Sequence, residues 1–325
     1  MAGFARSSLR CWLVGGLCAL ASIATAHAGP RHLLVVWGVP GSPEHAARQR
    51  AWVQQLTEAA RGPLAIPPEN LVILSGEGGD PAASATREHV RSALERLARV
   101  PADGLVCLVL IGHGSFDGAD AKFNLVGPDL EAAEWAALLQ PIRAQVVVVN
   151  TASASAPFLT RLAGPRRVVI TAAATPAQRY DTVFAEYFTA AFTSGEADLD
   201  KDRRVSIWEA FAYASARVRR YYEQRGQLAT ERALLDDTGD GIGKEAGEAG
   251  PDGALASRLF LDAGPEVERT ASPAISELLA RRARLLADLD ELKRKQSFMP
   301  ADDYARELER LLVDIARLSR DIRQS

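Results

Sequence analysis

Val146 to Val149, inside the stretch QVVVVN, form an unbroken β-branched run with no polar residue at either alternate position. A strand open to water on one side alternates apolar with polar, so this one must be covered on both faces, as at the centre of a parallel sheet. Short apolar runs at 32–38, 71–75, 104–111 and 167–172 have the same character, and amphipathic stretches near 44–60, 86–99, 129–140 and 156–163 lie between the strands. Two more amphipathic stretches, 181–194 and 206–222, follow the last strand. This alternation predicts an α/β fold, a mostly parallel sheet flanked by helices. Thr86 stands where a helix cap is wanted, ahead of Val90, Leu94 and Leu97 at helical spacing.

The two ends of the chain differ from this core. Arg6 and Arg10 precede an apolar run from Cys11 to about Ala24, and Ala26-His27-Ala28 supplies small residues for cleavage, the layout of a secretory signal over 1–28. The run is shorter than the ~20 residues a spanning helix needs. The expectation is an exported protein, periplasmic or secreted, with no membrane span. Removal of the signal takes Cys11 and Cys18, leaving Cys107 inside a strand and no internal disulfide. Without Arg6 and Arg10, 36 basic and 41 acidic residues give a net charge of −5, with no basic block, which argues against a nucleic-acid partner.

At the other end, Ile275, Leu278, Leu285, Leu289 and Leu292 fall at helical spacings. Beyond a break at SFMPADD, Tyr304, Leu308, Leu311, Ile315, Leu318 and Ile322 follow a strict 4-3-4-3-4 rule. Residues 272–325 therefore read as a helical hairpin or coiled coil appended to a domain spanning 29–265. Its apolar seam suits packing on that domain, self-association, or contact with a protein or peptide partner.

LVLIGHGSFDG, residues 108–118, places His113 just past an apolar strand, where α/β proteins display reactive groups. The next strand, 145–150, runs into NTASASA, so the two loops should face each other above the sheet. HGS after an apolar strand, followed 39 residues later by the end of another strand, resembles the legumain and caspase group of cysteine peptidases, particularly the legumain (C13) branch. ATREHVRSALERLA and VVITAAATPAQRYDTVFAEYF are similar to that branch's helix before the histidine strand and its substrate-pocket segment. The resemblance spans roughly 31–225 and implies a caspase-like sheet.

It also implies that His113 occupies the catalytic histidine position and that Asn150 and Thr151 precede the nucleophile, which falls on Ala152. A methyl group cannot attack a carbonyl. Two alternatives stay open: Ser153 or Ser155 replaces the thiol in a Ser-His pair acting as peptidase or acyl hydrolase, or these small polar residues only turn the chain and cap the next helix.

ADLDKDRRVSIWEAF sets Asp198, Asp200, Asp202, Arg204, Ser206 and Glu209 at positions 1, 3, 5, 7, 9 and 12 of an EF-hand-like loop, with helical sequence on both sides. Carboxylates at this spacing wrap a hard cation such as Ca2+, with a backbone carbonyl from Arg204 and a bidentate Glu209 closing the shell. Arg203 stands where glycine is expected, and a left-handed arginine costs roughly 1–2 kcal/mol. DDTGDGIG offers Asp236, Thr238, Asp240 and Gly241 as the start of a second such loop, but position 12 is Gly247, so it reads as an acidic glycine turn unless Glu245 or Glu248 reaches back. The expectation from sequence is an exported calcium-binding protein without peptidase activity, acting in binding or assembly.

Overall fold

Each expected strand run forms a strand, and all lie in one sheet. The computed structural model describes residues 29–178, 181–264, 278, 281–282, 284–285, 288–289, 292 and 299–324. The expected secretory signal over 1–28 and most of the first helix expected for the C-terminal hairpin fall outside the described residues.

Strands β1 (Arg31–Trp37), β2 (Leu71–Ser75), β3 (Leu105–Ile111), β7 (Gln145–Asn150) and β8 (Arg167–Thr171) are parallel, and β9 (Leu234–Asp236) adds an antiparallel edge. The order is β2-β1-β3-β7-β8-β9. The chain runs outward from β1 in both directions, so the crevice between the carboxyl ends of β1 and β3 is the topological switch point, where open α/β sheets place their sites.

Both faces of the sheet are covered, as the valine run requires. Alternate side chains Val35, Cys107, Val109, Val147, Val149 and Ile170 pack under α1 (Pro43–Arg61), α5 (Phe184–Ala191) and α6 (Ile207–Gln224), where Leu56, Phe188 and Phe211 are fully buried. The intervening Val36, Leu108, Leu110, Val146 and Val148 pack under α2 (Arg87–Leu97), α3 (Ala132–Leu139) and α4 (Ala156–Leu162), against Leu94, Trp135 and Phe158. Period-two alternation thus serves two cores instead of a core and a solvent face.

Besides adding the unexpected edge strand β9, the structure departs from the expected pattern in three places. The helix expected over 129–140 begins as strand β6 (Leu130–Glu131) and turns helical only at Ala132, because Glu131 caps α3 reciprocally with Glu134. The segment after His113, expected as a loop, is structured: β4 (Gly114–Phe116), β5 (Ala121–Phe123) and β6 make a small antiparallel sheet. The helix expected over 181–194 spans only 184–191, since the backbone amides of Val183 and Phe184 give their hydrogens to the Glu231 carboxylate.

At the C-terminus, α7 (Ala301–Gln324) buries Leu311 against Leu289 and Leu292, with Leu285, Tyr304, Leu308 and Ile315 around them. Among the described residues, no helix is long and apolar enough to cross a membrane.

Candidate functional site

Every group in the cleft above the switch point comes from a carboxyl-terminal loop or the helix that follows it. Ser42 caps α1 by accepting the amide of His45, with Pro43 in the first turn. That cap fixes His45 over the cleft. β3 delivers His113, the loop after β7 delivers Ser153, and the segment after β8 delivers Asp181. Gln49, Trp52, Gly112, Thr151 and Thr182 complete the lining.

His113 Nε2 lies 2.7 Å from the carbonyl of Pro40. A carbonyl only accepts, so Nε2 carries the hydrogen. Nδ1 faces Asp181 Oδ1 at 3.4 Å, while Asp181 Oδ2 meets His45 Nε2 at 2.5 Å and accepts from Arg48 Nη2 at 3.0 Å. The two imidazole centroids are 4.9 Å apart. Asp181, His45 and Arg48 were not singled out by sequence reasoning; the only trace of Asp181 is its place in the YDTVF segment that precedes α5.

The loop after β7 meets the His113 loop as expected. A Cβ built on Gly114 would lie 2.4 Å from the Ser153 carbonyl and 3.4 Å from the Ala152 methyl, so only glycine lets the two loops touch. Ala152 is fully buried, and its amide donates to Asn150 Oδ1. Ser153 lines the cleft, but its hydroxyl donates to the Gly114 carbonyl at 3.3 Å. Ser155 is fully buried, and its Oγ accepts the amide of Ala173 at 3.1 Å. Ser153 therefore shares the cleft with His113, and Ser155 does not.

Between α5 and α6, the 198–209 loop brings one carboxylate oxygen each of Asp198, Asp200 and Asp202 within 4.8 Å of one another. Arg203 adopts φ +72°, the left-handed conformation that position 6 demands, and Lys201 also lies there at +62°. Asp198 Oδ2 accepts the Arg203 amide at 3.0 Å, yet Asp198 Oδ1 is buried and has no hydrogen-bond partner among the described residues. Burial, then the charge of Asp200, pushes the Asp202 carboxyl up to about 6, and Asp200 moves the same way through burial and Glu209. Glu209 Oε1 accepts the amides of Leu199 and Asp200, tying α6 to the start of the loop. Ser206 caps α6 reciprocally with Glu209, so its hydroxyl serves the helix first. The Arg204 guanidinium turns away to Asp262 and the Phe260 ring.

The 236–241 turn repeats much of this wiring. Asp236 Oδ2 accepts the amide of Gly241 at 2.9 Å, and Asp240 Oδ1 that of Ile242 at 2.8 Å, as Asp198 and Asp202 do for Arg203 and Arg204. Neither Glu245 nor Glu248 closes it: Glu245 pairs with Arg232, and Glu248 accepts the Glu245 amide. Asp252 instead accepts the amides of Asp237 and Thr238, the counterparts of the pair held by Glu209.

No protein-family model and no curated protein matches the chain. Solved structures with similar backbones include protein GSU0716 from Geobacter sulfurreducens, at 13% identity, 72% of this chain, 99% of that chain and a TM-score of 0.45. Caspase-1 from Spodoptera frugiperda is similar at 6% identity, covering 65% and 88%, with a TM-score of 0.44. The Drosophila initiator caspase Dronc is similar at 10% identity, covering 81% and 97%, with a TM-score of 0.43.

Proposed function

We propose that this chain is an exported calcium-binding protein on a legumain/caspase-like scaffold, without peptidase activity, that acts in binding or assembly. The observation that carries the calcium reading is the buried Asp198 Oδ1, without a hydrogen-bond partner among the described residues, beside the Asp200 and Asp202 carboxylates. A buried carboxylate oxygen without a donor is costly, and three crowded carboxylates repel; a hard cation relieves both. Asp198, Asp200, Asp202 and the Arg204 carbonyl would hold Ca2+, with Glu209 closing the shell after giving up its bonds to Leu199 and Asp200. The ion would supply a structural clamp between α5 and α6. Arg203, Lys201 and Arg204 reduce the local negative charge and so weaken binding.

The non-catalytic reading rests on the methyl of Ala152 at the position that the resemblance assigns to the nucleophile, and on the hydrogen bonds that hold His113 and Ser153 apart. The C-terminal hairpin is the surface offered to a protein or peptide partner, or to another copy of the chain.

Thermal denaturation with and without Ca2+ tests the calcium reading. The melting temperature should rise with Ca2+, reflecting about 2.7 kcal/mol at a hundredfold excess over Kd. Asp198→Ala and Glu209→Gln should abolish the rise. An unchanged melting temperature and no binding heat at millimolar Ca2+ would leave the loop as a metal-free acidic turn.

A further inference from the structure

The cleft at the switch point gathers two imidazoles and a carboxylate that the calcium reading does not use. We propose that His45, His113 and Asp181 form a site for a nitrogen-preferring divalent transition metal, Zn2+ first among them, with its fourth position open to the cleft. One ligand atom from each residue lies within 4.8 Å of the others.

The tautomer of His113 is already set for this. Metal-bound histidines commonly donate their second ring N–H to a carbonyl, which orients the ring and fixes the lone pair on the other nitrogen. Pro40 accepts from Nε2, leaving Nδ1 to face Asp181. Zinc–ligand bonds of ~2.0–2.2 Å at tetrahedral angles put ligand atoms roughly 3.3–3.5 Å apart. The Nδ1-to-Oδ1 separation is 3.4 Å. His45 sits closer, at 2.5 Å from Asp181 Oδ2, so its hydrogen bond must open; its side chain is 29% exposed in the first turn of α1, which leaves the ring room to turn.

The donor set selects the ion. Two imidazoles with one carboxylate suit zinc, copper, nickel or ferrous iron, whereas calcium and magnesium prefer all-oxygen shells. The two sites should therefore sort their metals by chemistry. Arg48 donates to Asp181 Oδ2 from the rim of the cleft with its side chain 39% exposed. Ligating carboxylates are commonly hydrogen-bonded from outside, and its charge lowers the affinity without blocking the site. Gly112, Thr151 and Ser153 line the same cleft.

The test is a titration of the untagged, metal-free chain from residue 29 onward, without the expected signal and its Cys11 and Cys18, with Zn2+ in saturating Ca2+ and Co2+ as a spectroscopic reporter. The expected result is one Zn2+ per chain and the strong visible absorption of four-coordinate cobalt. His113→Gln, His45→Gln and Asp181→Asn should each weaken Zn2+ binding by more than the roughly 10- to 100-fold that losing an outer-shell partner costs, with unchanged far-ultraviolet circular dichroism. Asp198→Ala should leave Zn2+ binding intact, which separates this site from the calcium loop. No stoichiometric binding, zinc affinity that survives all three substitutions, or the weak spectrum of six-coordinate cobalt would each overturn the proposal and leave an ion-pair cluster.

Discussion

His113 directs Nδ1 at the carboxylate of Asp181, 3.4 Å away, and not at a hydroxyl. With Nε2 donating to Pro40, Nδ1 carries the lone pair and faces Asp181. The ring can act as a base toward Ser153 only after leaving this arrangement, and the Ser153 hydroxyl must first release the Gly114 carbonyl. A general base has to lie within hydrogen-bond reach of the proton it removes.

A serine-directed fluorophosphonate should therefore leave the protein unlabelled. Labelling that disappears in both His113→Ala and Ser153→Ala would establish a working Ser-His pair and overturn the non-catalytic reading.

Ser155 has a different task, because its buried oxygen accepts the Ala173 amide and joins the start of α4 to the segment after β8. Removing the acceptor strands a buried donor at a cost of about 1–3 kcal/mol. Ser155→Ala should lower stability by that amount in a denaturant melt. A change below a few tenths of a kcal/mol would mean that another acceptor serves Ala173.

Cys107 is fully buried in β3, and burial pushes its thiol up to about 12. The thiolate is the reactive form, so native protein should resist thiol reagents and thiol-directed peptidase probes. Denatured protein lacking residues 1–28 should react at one thiol per chain. Fast labelling of the native protein would contradict the burial.

Glu231 links pH to stability. Burial pushes its carboxyl from 4.5 up to about 7, against the pull of the Val183 and Phe184 amides and Tyr222. Between those values the folded chain keeps a proton that the unfolded chain has released, so stability falls as pH rises from 4.5 through about 7. The loss is on the order of 3 kcal/mol, at about 1.4 kcal/mol per pH unit. Glu231→Gln should flatten this stretch of the stability profile. A variant with the parent's slope would assign the dependence to other groups.

The strand runs, the helix periods and the acidic spacing at 198–209 could all be read locally. Arg203 shows why: at position 6 the backbone must enter the left-handed region, and it does so even with a side chain that disfavours it. The short strands β4, β5, β6 and β9 were missed, because two or three residues carry too little periodicity to stand out from a turn. Asp252 was missed as well, lying beyond the twelve positions over which an EF-hand-like loop closes.

By itself the amino-acid order determined the two-faced sheet, since an all-valine strand tolerates no wet side, and it determined which chemical groups end the strands. Which of those groups meet was decided only by the tertiary path: Arg48 and Asp181 are 133 residues apart, and Pro40 and His113 are 73 apart. Strand order brings such loops together at the carboxyl end of the sheet, and no local period records strand order.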